Sequence, residues 1–221
     1  MKLQNMSAAI QDIKATIAKG QKFLINLKPL LKMKKIKLVK NEKYPIKGQS
    51  WKSQGAQHTD IDASKFNVGI PTGRINNLIV FDIDIKKESK KELDGVAKMR
   101  DYIEQHQDIN TLTIKTPSGG THYYFKYNDS NENIKFIVKN YLYTRSGVGG
   151  YSIDVRADNG YIVAPPSSIN GNAYEITNYA DIAPIPETLG NFLKGLDDER
   201  DRDKADKLNK TNESKGRIYT R

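Results

Sequence analysis

The hydrophobic pattern along the chain is one of short strand-like runs, the clearest being Leu78-Ile79-Val80-Phe81-Asp82-Ile83-Asp84-Ile85. Six of its eight residues are large and apolar, most of them β-branched or aromatic, which predicts a buried strand. Similar runs predict strands at Phe66–Ile70, Thr111–Thr116, Thr121–Tyr127 and Ser152–Arg156. Lys34–Lys40 alternates loosely, as an edge strand guarded by lysines does. Asp158-Asn159-Gly160 reads as a turn, so Tyr161–Ala164 is expected to return as a hairpin partner of the preceding strand, stopped by Pro165-Pro166. Helical spacing recurs at Ser7–Lys19, where Ile10, Ile13 and Ile17 share a face and Gly20 ends the run. A second short piece, Phe23–Met33, is interrupted at Pro29. Ser89–His106 is the strongest helix, with Leu93, Val96, Met99 and Ile103 at core spacing. Strand, helix, strand, strand over residues 78–127 is the order of a split β-α-β sheet. The only tryptophan, Trp51, is expected as a core anchor.

From Gly195 onward apolar residues nearly vanish and charges of both signs alternate, which predicts a solvated helix or a disordered linker. At 221 residues the chain has length for one substantial core, or one domain with appendages. The boundaries expected are a basic helical leader over 1–40, a catalytic body over 41–194 and a charged tail over 195–221. No run of apolar residues is long enough for a membrane span, and the start lacks a signal-peptide core. The absence of cysteine excludes disulfides and thiolate metal sites, so the chain reads as cytoplasmic, with no membrane partner.

Charge changes the picture at one end. Residues 1–50 hold 12 lysines against 2 acidic residues, while the remainder balances 24 against 24, so the whole net charge of +10 sits near the start. A basic segment on a neutral domain suits salt-dependent contact with a phosphate backbone. A lysine-rich solubilising face would look the same.

The central strand carries the candidate chemistry. Asp82 and Asp84 lie two positions apart, so both point to one face while Phe81, Ile83 and Ile85 point to the other. Two carboxylates about 7 Å apart on a half-buried sheet repel and are costly to desolvate. A hard divalent cation, Mg²⁺ or Mn²⁺, resolves this; a solvated strand end is the alternative. Asp154 is a third carboxylate on a strand face, and Arg156 two residues on suits bidentate phosphate contact. His122 follows the turn Pro117-Ser118-Gly119-Gly120, where backbone can approach a ligand closely, although strand histidines are more often structural. Pro71-Thr72-Gly73-Arg74 is either an anion-cradling loop or a tight turn. Arg74 and Arg145 are weaker candidates than Arg156.

Five motifs occur in order: Asn67-Val68-Gly69-Ile70-Pro71-Thr72-Gly73, Val80-Phe81-Asp82-Ile83-Asp84, Thr116-Pro117-Ser118-Gly119-Gly120-Thr121-His122, Ile153-Asp154-Val155-Arg156, and Gly160-Tyr161-Ile162-Val163-Ala164-Pro165-Pro166-Ser167. This series resembles the bifunctional DNA primase/polymerase (prim-pol) domain of plasmid and phage replication proteins, within the archaeo-eukaryotic primase superfamily. The resemblance covers about residues 40–190 and does not include the lysine-rich leader. It implies an α+β fold, with an N-terminal α/β module packed on an RRM-like half, mixed sheets, and the active site in the cleft between them. It also implies that Asp82, Asp84 and Asp154 are the catalytic metal ligands and that His122 contacts the phosphates of the incoming nucleotide. The family often has glutamate where Asp84 stands; aspartate is shorter but still ligates.

On this reading the three carboxylates hold two Mg²⁺ or Mn²⁺ ions about 3.5–4 Å apart. His122, Arg156 and Lys115 hold phosphate oxygens, while Ser118, Gly119 and Gly120 admit the nucleotide to the backbone. The partners expected are single-stranded DNA template and primer, NTP or dNTP substrates, and a helicase module or other replication partner. Two other classes stay open: a D-x-D nucleotide-sugar transferase, and a non-enzymatic DNA-binding replication module with the same fold.

Overall fold

The computed structural model describes residues 30–52, 58, 60–85, 90–106, 109–127 and 153–216. The helix expected at 7–19, most of the piece at 23–33 and the loop with Arg145 lie outside the described residues.

The described chain forms β1 (Ile36–Leu38), β2 (Asn67–Pro71), β3 (Leu78–Ile83), α1 (Lys90–His106), β4 (Thr113–Lys115), β5 (Thr121–Lys126), β6 (Ile153–Arg156) and β7 (Tyr161–Ala164). There follow the short hairpin β8 (Ser168–Ile169) and β9 (Asn172–Ala173), then β10 (Glu175–Asn178) and α2 (Glu187–Gly216). The strands make two main sheets, one ordered β1-β2-β7 and one ordered β10-β4-β5-β3-β6. The fold is α+β.

The expected split β-α-β unit is present, because β5 lies between β3 and β4. Its consequence for the sheets corrects the expectation of mixed pairing. Inserting β5 separates the two strands that run in the same direction, so every pair of named strands is antiparallel.

A second correction concerns β7, which forms as a strand but not as the hairpin partner of β6. It pairs with β2, from Val68 opposite Ala164 to Pro71 opposite Tyr161. Two observations explain the switch. Ile162, Val163 and Ala164 are buried consecutively, where an edge hairpin strand would alternate. The connecting residues are also tied to the end of β2: the Thr72 hydroxyl donates to Ala157 O and its N–H to Gly160 O. The chain turns a corner here and crosses from one sheet to the other.

β3 is the centre of the packing. All five of its apolar residues are at most 3 % exposed, each contributing roughly 1.5–3 kcal/mol of burial. Ile79, Phe81 and Ile83 face Met99 and Tyr102 of α1 and Leu189, Leu193 and Leu196 of α2. Leu78 and Val80 face the other sheet, against Ile36, Leu38, Ile70 and Ile162. The result is three layers: helices, the five-stranded sheet, and the three-stranded sheet. Leu30 and Met33 are buried in that second core as well, so the end of the lysine-rich stretch is built into the body. β1 is an edge strand, as its lysines imply. At the other terminus, α2 continues to Gly216, but every described side chain from residue 201 to 211 is exposed.

The loop between β2 and β3 is locked against the β6–β7 corner. Gly73 has φ +89°, and a Cβ there would stand 2.6 Å from Asp158 Cα. Arg74 donates its backbone N–H to Asp158 Oδ1 at 2.8 Å, pairs through its guanidinium with the same carboxylate, and lies over the Tyr127 ring. Arg74 thus serves the corner. Gly73→Ala is expected to destabilise the fold by roughly 2–4 kcal/mol through left-handed strain and overlap with backbone. Urea denaturation measures it, and a loss below about 0.5 kcal/mol would show that the loop is not anchored this way.

Candidate active site

Strand register brings the chemistry together. Asp82 on β3 stands opposite His122 on β5 and opposite Asp154 on β6, and Arg156 stands opposite Val80. Directly opposed residues project to the same face, so all four belong to the face that looks toward the three-stranded sheet. Along that face of β3 the sequence reads Leu78, Val80, Asp82. The strand therefore runs from a dry intersheet core into a polar opening. Asp84, just beyond the strand, lines the same opening.

The opening is a cleft of about 390 Å³. One wall carries Asp82, Asp84, Thr116, His122 and Arg156. The facing wall carries Lys43 from the loop after β1, Trp51, and the start of β7 at Tyr161, with Tyr174 also lining the cavity.

The geometry is close. His122 Nε2 lies 3.2 Å from Asp82 Oδ1, and Arg156 Nη2 lies 3.6 Å from Asp82 Oδ2. The same guanidinium forms an ion pair with Asp154. The side chains of His122 and Asp82 are only 5 % and 14 % exposed, so the field of the Asp82 carboxylate acts with little screening. Burial alone would push the Asp82 carboxyl up, but His122, Arg156 and Lys43 outweigh it and hold it below the usual carboxylate range. The Tyr174 hydroxyl is pushed well up, first by burial and then by the negative charges of Asp82 and Asp84, and stays protonated. Asp82 Oδ1 and His122 Nδ1 are buried without a hydrogen-bond partner. Such atoms are rare in folded proteins and ask for an explanation.

Other expected residues fall elsewhere. Lys115 stands opposite Thr121, which stands opposite Ile83, so it lies on the helix-side face of the sheet and is exposed. Gly119 and Gly120 line a separate cavity on that side, with Ile83 and Ile85. Ser118 meets Thr116 at 3.0 Å within the turn. The glycine turn packs against the end of β3: a Cβ on Gly120 would stand 2.4 Å from Ile83 O and 3.3 Å from Asp84 Cα. The residue of that turn that reaches the cleft is Thr116.

Lys43, Trp51, Tyr161 and Tyr174 were not singled out as site residues by the pattern. Lys43 is one of twelve lysines in its stretch, and nothing local distinguishes it. Trp51 does pack on the second core, but it is only half-buried and presents itself to the cleft.

The side chains fit a divalent cation in part. Asp82 and Asp84 supply hard oxygen donors, and Asp82 Oδ1, whose only close neighbour among the described residues is His122 Nε2, is of the right kind. Asp154 is engaged by Arg156, and among the described residues no three His, Cys, Asp or Glu side chains are set to hold a metal ion. The arrangement suits a cation on Asp82 and Asp84, not on all three carboxylates at once.

An α+β fold with acidic and basic side chains meeting in an intersheet cleft defines a domain suited to handling phosphates. The chain belongs to the family of the bifunctional DNA primase/polymerase N-terminal (Prim-Pol) domain, whose model matches residues 29–188. A search of curated proteins finds no match to the chain. The family implies nucleotidyltransferase activity on DNA and nucleotides, generally with divalent metal ions. Among the described residues, no helix is long and apolar enough to cross a membrane.

The lowered Asp82 value gives a signed expectation. A carboxyl whose folded value lies below its unfolded value of about 4 adds stability above that pH, and this is lost as pH falls through the folded value. The stability of wild type relative to Asp82→Asn should therefore decline as pH falls from 6 to 2. Urea titrations across that range measure it; a difference that does not change with pH would refute the assignment.

Proposed function

We propose that the chain is a template-directed primase-polymerase that makes and extends primers on single-stranded DNA from NTPs or dNTPs, serving replication of a plasmid or phage. The observation that carries this reading is the register that sets Asp154, Asp82 and His122 side by side on one face, with Arg156 between the two aspartates, in a chain of the Prim-Pol family. The reaction joins a 3′-hydroxyl to the α-phosphate of a nucleoside triphosphate and releases pyrophosphate. Its demands are positioning and charge neutralisation rather than covalent chemistry by the protein.

The residues divide the work. Asp82 and Asp84 hold the divalent cation, which when bound neutralises the triphosphate and activates the attacking hydroxyl. His122 and Arg156 hold phosphate oxygens, and Arg156 releases Asp154 when it turns to a phosphate. Asp154 then turns more of its charge to the cleft as the third carboxylate. Burial strengthens each of these contacts, because few waters compete.

One observation favours a second reading. An arginine occupying the third carboxylate is also what a non-enzymatic DNA-binding module with this fold would retain. Primer synthesis separates the two. On single-stranded templates with Mg²⁺ or Mn²⁺ and either NTPs or dNTPs, wild type should yield products. Asp82→Ala/Asp84→Ala should lower the yield by at least about 100-fold. DNA binding with neither synthesis nor primer extension under any of these conditions would establish the second reading.

The Arg156 exchange has its own readout. Calorimetry should show Mn²⁺ binding tightened at least about fivefold by tripolyphosphate, and by reciprocity the converse. Arg156→Ala should strengthen Mn²⁺ binding alone and reduce that coupling to what direct contact between cation and polyphosphate supplies. Equal Mn²⁺ affinity in wild type and variant would rule the exchange out.

A further inference from the structure

The wall of the cleft facing Asp82 has a chemistry of its own. Trp51 and Tyr161 meet there as a tilted pair, ring centroids 5.1 Å apart at 58°. Both are fixed by their polar ends: Trp51 Nε1 donates to Asn159 O at 3.0 Å, and the Tyr161 hydroxyl donates to Lys43 O at 3.1 Å. Each ring is only half-buried, so an aromatic surface is held rigid while part of it stays open to the cavity that holds the carboxylates. Rigid aromatic rings lining a polar cleft suit a planar ligand, because stacking needs a fixed face and little ordering on binding. Lys43, the residue whose carbonyl anchors Tyr161, lines the same cavity. It makes no ion pair among the described residues, yet its charge reaches Asp82 across the cleft.

We propose that Trp51 and Tyr161 form the platform for the base of the incoming nucleotide, and that Lys43 grips the phosphate chain of that same nucleotide from the wall opposite Asp82. The proposal rests on the nucleotide reading given above and adds which residues recognise which end. The phosphates lie among His122, Arg156 and Lys43, beside Asp82 and Asp84, which would hold the cation, and the base lies toward the corner made by the loop after β1 and the start of β7. Stacking accepts any base, since each has a π-face, which suits an enzyme that must take all four. The nucleotide then bridges the two sheets, and neither wall alone binds it well.

Trp51 is the sole tryptophan, so its emission reports on this platform directly. With Mg²⁺ present, ATP should quench that emission to saturation, while tripolyphosphate competes for the site without quenching. By calorimetry, Trp51→Leu should weaken ATP roughly tenfold and leave tripolyphosphate unchanged, which also shows that the fold is intact. Trp51→Phe should restore most of the ATP affinity. Lys43→Ala should weaken ATP and tripolyphosphate alike, by roughly tenfold. ATP binding by calorimetry with no change in Trp51 emission, or with affinity unaltered in Trp51→Leu, overturns the platform and leaves the nucleotide reading standing. No binding of ATP to wild type at all overturns both.

Discussion

Everything in the cleft depends on one carboxylate held ionised where burial opposes it. Asp82 sits on β3, an interior strand of the larger sheet, next to a face of fully buried apolar residues, and an unpaired charge there would be costly. What keeps it ionised is a set of positive or potentially positive side chains from three separate segments: His122 from β5, Arg156 from β6 and Lys43 from the loop after β1. Without Asp82, His122 and Lys43 lose the carboxylate they face, and Arg156 keeps only Asp154. The site and the fold are in this sense one arrangement.

The neighbouring ion pair has a consequence for how such a site is loaded. Arg156 touches both Asp82 and Asp154, so in the arrangement described it supplies locally the positive charge that the two carboxylates need. On the proposed reading, a phosphate competes for that guanidinium, and a cation competes for the carboxylates it leaves. Either ligand alone must break a charge-assisted contact without replacing both halves, whereas the two together replace both.

Much of the acidic wall was legible because it lies on strands with simple periodicity. Asp82 and Asp84 share a face by alternation alone, and His122, Asp154 and Arg156 sit at fixed positions in short, strongly apolar runs. What alternation does not give is register, and register decides which residues of adjacent strands meet. Lys115 illustrates the limit: it lies two residues from a turn and seven from His122, yet it falls on the far face because Ile114, not Lys115, stands opposite His122. Ser118, Gly119 and Gly120 read as a ligand-facing turn; in the structure the missing Cβ of Gly120 lets that turn close over the end of β3. The facing wall was less legible still. Lys43 and Trp51 come from irregular chain, where no period constrains direction, and Tyr174 follows a two-stranded hairpin whose packing is set by distant residues.

The crossing from β6 to β7 explains why so short a stretch supplies both walls. Arg156 and Tyr161 are five residues apart in sequence, yet one belongs to the five-stranded sheet and the other to the three-stranded sheet. Had β7 folded back on β6 as a hairpin, Tyr161 would have extended the same sheet and the aromatic side of the cleft would be missing. The corner at Ala157–Gly160 prevents this, held by Thr72, by Asp158 against Gly73 and Arg74, and by Asn159 at φ +63°. Trp51 bonds to the carbonyl of Asn159, so the tryptophan that faces the cleft is positioned by the same corner. A local decision about where one strand pairs thus sets the distance between the acidic wall and the aromatic wall, and with it the size of ligand that the cleft accepts.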